Sequence, residues 1–216
     1  MLPVKMKNAA IVVLSASNNP RLLNGDFLKQ HRIVPNEWVV TDTLVTAPFA
    51  QVSFENGLQI MVEENRLHFR ANNPESFPWT DELPRVAIEY IKLLPYVNYR
   101  GVGLNFIYSA DDLHGEAAEE ALIRKLLKFG PWMECNSGIT GAVIDLQYRK
   151  EFPQMNVKIG VLENVGPEGK KLEGIVFNVN FHHEFQADQV EERVSYLKSM
   201  SLRQDQFFRF LETLPF

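Results

Sequence analysis

At 216 residues, 45% hydrophobic and 23% charged, the chain has the composition of an ordinary soluble globular protein. It is long enough to bury a substantial core, which excludes a disordered segment. No apolar stretch approaches the roughly 18–20 residues needed to span a bilayer, so no membrane partner is expected. Net charge is −5, divided as 9 basic and 10 acidic groups over 1–94 and 13 and 17 over 95–216; no basic stripe forms, and nucleic acid is excluded as a partner.

The first apolar run, about Ala9 to Ser15, reads as a strand. Asn19-Pro20 opens a helix to about His31, with Pro at its first position and Gly25 weakening it. From Trp38 to Glu55 the chain reads as extended, with Pro48 marking an edge or a bulge. Asn56-Gly57 is a hairpin signal, because both residues tolerate the positive φ of tight turns. Leu58, Ile60 and Val62 alternate with Gln59, Met61 and Glu63, and a turn at Glu64-Asn65 leads to Leu67 and Phe69. Thr80 then caps a helix to about Leu94, buried through Val86, Tyr90, Leu93 and Leu94.

The same order follows again. Val102, Leu104, Phe106 and Tyr108 alternate with Gly101, Gly103, Asn105 and Ile107 on a strand. Asp111 or Asp112 caps a helix with the stripe Ala117, Ala121, Leu122, Leu126 and Phe129, which Gly130-Pro131 stops. Strands are expected at about 139–149, 155–163 and 172–183, the last two joined by the turn VGPEGKK. A last helix begins near Asp188 and breaks near Ser201, where Gln204 completes a capping box.

A shift of 94 positions lays Trp38 on Trp132, Leu14-Ser15-Ala16 on Tyr108-Ser109-Ala110, and Thr46–Glu55 on Thr140–Arg149, with strand alternation in phase in the last pair. A repeat of about 95 residues is domain-sized, whereas solenoid repeats run to roughly 20–50. The expected fold is therefore α+β: an internally duplicated β-α-β-β-β-α unit, residues 1–95 and 96–216. The two halves would form one compact unit, with a curved antiparallel sheet, helices on one face and a pseudo-two-fold axis. In element order this resembles a duplicated TATA-binding-protein or helix-grip arrangement. The resemblance covers most of the chain, rests on no family motif and implies architecture only. The N-terminal run belongs to the repeat, which argues against a signal peptide. The single cysteine, Cys135, fits a reducing cytoplasm.

Few residues suggest chemistry. His182-His183-Glu184 is the one local cluster of metal-ligand types, but neighbours on a strand point to opposite faces, so no metal is expected. Gly101 and Gly103 form a GxG inside a strand, the wrong context for a dinucleotide loop, and GPEGKK lacks the phosphate-loop spacing, so no cofactor is expected. Cys135 with His114 would make a nucleophile only if the fold joined them. Asp111-Asp112 and Glu63-Glu64 are accounted for by a cap and a turn.

Phasing the strands exposes one constellation. Opposite the aliphatic face lie Gln51, Ser53, Gln59, Met61, His68 and Arg70, and from the second half Asn105, Asp145, Gln147, Asn156, Lys158, Asn178, Asn180 and His182. Amides both donate and accept, which suits a peptide backbone, a sugar or a polar small molecule. The candidate ligand-binding set is Gln51, Ser53, His68, Arg70, Asn105, Asp145, Gln147, Asn178, Asn180 and His182; the plain alternative is a sheet with one face in water. A non-catalytic binding or interaction protein ranks first among functions. A subunit of a homo- or hetero-oligomer follows, to be recognised by exposed apolar residues in the C-terminal FFRFLETLPF. An enzyme acting on a small polar substrate through His68, Asp145 or His182 ranks third.

Overall fold

The structure is a computed structural model that describes residues 2–111, 113, 117–149, 153–165, 171–185 and 190–216. The strands are β1 (Lys5–Ala16), β2 (Val40–Val45), β3 (Phe49–Phe54), β4 (Leu58–Glu63), β5 (Arg66–Ala71), β6 (Asn98–Ala110), β7 (Ile144–Tyr148), β8 (Gln154–Val165) and β9 (Lys171–Glu184). The helices are α1 (Gly25–Gln30), α2 (Trp79–Leu93), α3 (Ala118–Leu126), α4 (Val190–Leu197) and α5 (Met200–Glu212). Among the described residues the strands form one unclosed antiparallel sheet in the order β2-β3-β4-β5-β1-β6-β9-β8-β7. The fold class is α+β.

Alternation decides the faces. Ala50, Val52, Phe54, Leu58, Ile60, Val62, Leu67 and Phe69 are buried, while the residues between them are half-buried. In the second half Leu104, Phe106, Ile159, Phe177 and Val179 are buried on the same face, and Ile144 and Leu146 pack against them half-buried. The helices cover this face through aromatic contacts. Tyr90 of α2 meets Phe69, Trp79 meets Phe106, and Phe207 of α5 stacks on Tyr108 at 4.9 Å and meets Phe177 at 5.9 Å.

Several ends differ from expectation for local reasons. The segment after Asn19-Pro20 is a 3-10 turn, Pro20–Leu22, followed by a separate helix. Asn24 Oδ1 accepts from the Phe27 N–H (2.8 Å), so Gly25 falls at the helix start, where it does little harm. α2 begins at Trp79, leaving Thr80 inside the first turn rather than capping it. β2 is a separate edge strand, exposed along nearly its whole length. In α3 the buried residues are Ala118, Ala121 and Leu122; Phe129 stands exposed beyond the helix end. The expected break in the last helix falls at Lys198-Ser199, between α4 and α5, with no side-chain cap. The Asn56-Gly57 turn forms as expected, with Gly57 at φ +90° and Leu58 N–H donating to Asn56 Oδ1. The Asp112 cap, the VGPEGKK turn and the Asp188 helix start lie wholly or partly outside the described residues.

The 94-position register does not carry through the central strands. Leu14 is 39% exposed on the helix-free face, whereas Tyr108 is 1% exposed beneath α5. The two central strands each carry one bulge, Lys7 extra in β1 between the pairs Met6–Tyr108 and Asn8–Ile107, and Arg100 extra in β6 between Leu14–Gly101 and Ser15–Tyr99. These lie 93 positions apart, so a shift of 94 runs one residue out of phase here and turns each side chain to the other face. Trp38 and Trp132 also differ, the first packed edge-on against Phe54 and Phe77, the second 53% exposed.

Candidate functional site

Strand register turns the sequence-phased polar residues into rows across the helix-free face. One row reads Gln51, Met61, His68, Val12, Gly103, His182 and Gln154, each paired with the next on the neighbouring strand. The next reads Ser53, Gln59, Arg70, Ala10, Asn105, Asn180, Asn156 and Gln147. A shorter third row is Ile107, Asn178, Lys158 and Asp145. All ten candidate residues thus share one face, but they do not form one cluster. Gln51 on β3 lies four strand spacings from Asn105 on β6, about 19 Å at the usual separation of 4.7–4.9 Å.

The second-half residues do converge. A concavity of about 260 Å³ is lined by Asn105, Ile107, Asp145, Asn156, Lys158, Asn178 and Asn180, with main chain from Phe106 and Val179. Asn180 Nδ2 donates to Asn105 Oδ1 at 2.8 Å, and Asn105 Nδ2 donates to the Gly103 carbonyl at 3.1 Å. These bonds hold the two amides against each other. Gly103 makes room for them: a Cβ there would stand 2.7 Å from Asn180 Nδ2. Among the described residues Asn156, Asn178, Lys158 and Asp145 make no side-chain hydrogen bond or ion pair, so their polar groups face solvent. Ile107 brings an apolar side chain to the concavity, and its phase with Asn105 in the alternation marks it for this face. Asn156 and Lys158, on that face by the same alternation, also line the concavity.

Elsewhere the candidates stand apart. Gln147 lines a different concavity, about 520 Å³, with Tyr148, Arg149, Met155, Phe181 and Gln206, and accepts a hydrogen bond from Arg149 Nη2. In the first half Gln51 and Gln59 both donate weakly to Ser53 Oγ (3.4 and 3.3 Å), a self-satisfied cluster. His68 is half-buried, its buried Nε2 without a hydrogen-bond partner among the described residues, and burial, helped by the charge of Arg66, pushes its pKa below the usual imidazole value.

The residues named for an enzyme do not meet. His68 and His182 share a row but are three strand spacings apart, about 14 Å, and Asp145 lies two strands beyond His182. The two neighbouring histidines point to opposite faces. His182 sits on the helix-free face 4.0 Å from Glu184, whereas His183 lies under α4, with Nε2 2.8 Å from Glu192 Oε1 and its ring stacked on Tyr196. No group of three metal-ligand residues occurs among the described residues. Cys135 is exposed, and its suggested partner His114 lies outside the described residues. No helix among the described residues is long and apolar enough to cross a membrane. The sequence matches no protein-family model and no curated protein.

Proposed function

We propose that this protein is a non-catalytic binding module that recognises a polar small molecule or peptide on the second-half part of its helix-free sheet face. One observation carries the reading. Paired strands bring Asn105, Asn156, Asn178 and Asn180 into a single concavity, two of them with no side-chain partner among the described residues. Amides held at fixed spacing offer donors and acceptors without net charge, the complement of a peptide group or a hydroxyl-rich ligand. The balanced charge of this face argues against nucleic acid, and the exposed single cysteine supports a reducing, cytoplasmic setting. The test is a thermal-shift and calorimetric screen of sugars, peptides and metabolites, repeated with Asn178→Ala and Gln147→Ala. A ligand of the concavity weakens with Asn178→Ala by about 1–3 kcal/mol and hardly at all with Gln147→Ala. Equal binding to wild type and Asn178→Ala would refute the reading.

We infer further that residues 1–95 and 96–216 are copies related by an approximate two-fold axis through the Ile11–Leu104 pair. The strand order supports it, running β1-β5-β4-β3 outward on one side and β6-β9-β8-β7 on the other. So do the bulges: Lys7 and Arg100 each lie four residues before the member of that pair on their own strand. Phe69, paired with Ile11, and Phe181, paired with Leu104, then become equivalents, both buried.

A second reading, self-association, is favoured by the β2 edge, where Val39, Leu44 and Val45 are all exposed. The C-terminal FFRFLETLPF does not offer such a surface, since Phe207 and Leu211 are buried and Phe208, Phe210, Leu214 and Phe216 pack on the core. Sedimentation of wild type and Leu44→Lys decides it: a monomeric wild type excludes the reading.

A further inference from the structure

Besides its amides, the concavity holds an acid and a base side by side. Asp145 and Lys158 are direct register partners on β7 and β8, so their Cβ atoms stand about 4.5–5.5 Å apart, close enough for a cross-strand ion pair. Yet neither side chain makes an ion pair or hydrogen bond among the described residues. Asn178 is the register partner of Lys158 on its other side, and Ile107 that of Asn178. The row therefore runs apolar, amide, cation, anion.

We propose that this row binds a free α-amino acid with an aliphatic side chain. The inference rests on the reading of the concavity as a binding surface and names its ligand class. The α-carboxylate is received by the Lys158 ammonium and the Asn178 amide, the α-ammonium by the Asp145 carboxylate, and the side chain lies over Ile107. The two ligand charges sit on one carbon, which matches two protein charges on adjacent strands. Charge balance selects against the alternatives. A simple carboxylate at Lys158 meets repulsion from Asp145, and a simple amine at Asp145 meets repulsion from Lys158. A neutral polar ligand desolvates both charges with nothing to replace their water.

The experiment is calorimetry on the full chain with L-leucine and three relatives of its skeleton: 4-methylpentanoate, 3-methylbutylamine and N-acetyl-leucinamide. L-Leucine is expected to bind at least tenfold more tightly than each of the others. Lys158→Met and Asp145→Asn should each weaken L-leucine at least tenfold, and Asp145→Asn should strengthen 4-methylpentanoate by removing the repelling charge. Both side chains are exposed, so circular dichroism and melting should be unchanged. Absence of L-leucine binding, or equal binding to both variants, overturns the inference. If a sugar or peptide then binds in a way that depends on Asn178 but not on Lys158 or Asp145, the zwitterion fails while the amide-face reading stands. If nothing binds, both fail.

Discussion

Phe106 is the position at which the packing argument is most exposed to test. It sits on β6, one strand of the pair that joins the two halves of the sheet, opposite Ala9 on β1, and is fully buried. Its ring meets Trp79 of α2 edge-on at 5.7 Å and Phe181 of β9 edge-on at 6.2 Å. Replacing it with Ala removes the ring from both contacts and leaves a cavity walled by main chain of a central strand, which cannot collapse freely. The usual cost of emptying such a site is about 3–5 kcal/mol. Each aromatic pair contributes about 0.5–1.5 kcal/mol beyond its buried area, which places Phe106→Ala toward the upper end of that range. For a chain of this size that is a fall in melting temperature of roughly 6–20 °C. Urea unfolding followed by circular dichroism measures it, with Phe129→Ala as the control, because Phe129 is 65% exposed and should cost no more than about 0.5 kcal/mol. A loss below about 1.5 kcal/mol for Phe106→Ala at unchanged denaturant dependence would refute the burial and contacts assigned to this ring.

His68 predicts a pH dependence. Its folded pKa lies below the unfolded value of about 6.5, so the unfolded chain binds the extra proton first and stability falls as pH drops below about 6.5. His68→Gln should flatten this part of the stability curve relative to wild type, and an NMR titration of the imidazole should show the lowered pKa directly; identical curves for the two proteins would exclude the burial effect. Tyr90, Tyr99, Tyr108 and Tyr196 are all raised, chiefly by burial, so their phenolate absorbance should rise only as the protein unfolds at high pH. Gly103→Ala should disturb the Asn180–Asn105 hydrogen bond while keeping the fold, because its new Cβ meets the end of a side chain. Gly174→Ala, whose Cβ would stand 2.9 Å from the Ala110 carbonyl oxygen, should cost more stability, and the reverse order in urea unfolding would contradict the packing.

The sequence by itself determined what depends on near neighbours. The alternation of Val52 and Phe54, of Ile60 and Val62 and of Leu104 and Phe106 named the buried face, because a pleated strand sends successive side chains to opposite sides. Asn56-Gly57 announced its hairpin, and the separation of His182 from His183 followed from the same pleat. What the tertiary structure alone decided is which strand lies beside which, and at what register. The bulges at Lys7 and Arg100 leave no compositional trace and lie 93 positions apart, so an alignment at 94 runs one residue out of phase in the central strands and sets Leu14 on Tyr108 across opposite faces. Amides dispersed over three strands, at 105, 156, 178 and 180, became one concavity, and Asp145 came to face Lys158, only through pairings between distant segments. The same strand order keeps His68 and Arg70 two strands, and Gln51 and Ser53 four strands, from β6, the concavity's nearest strand. Pleating is a property of a few bonds, whereas strand partnership is settled by the burial and hydrogen bonding of the whole sheet at once.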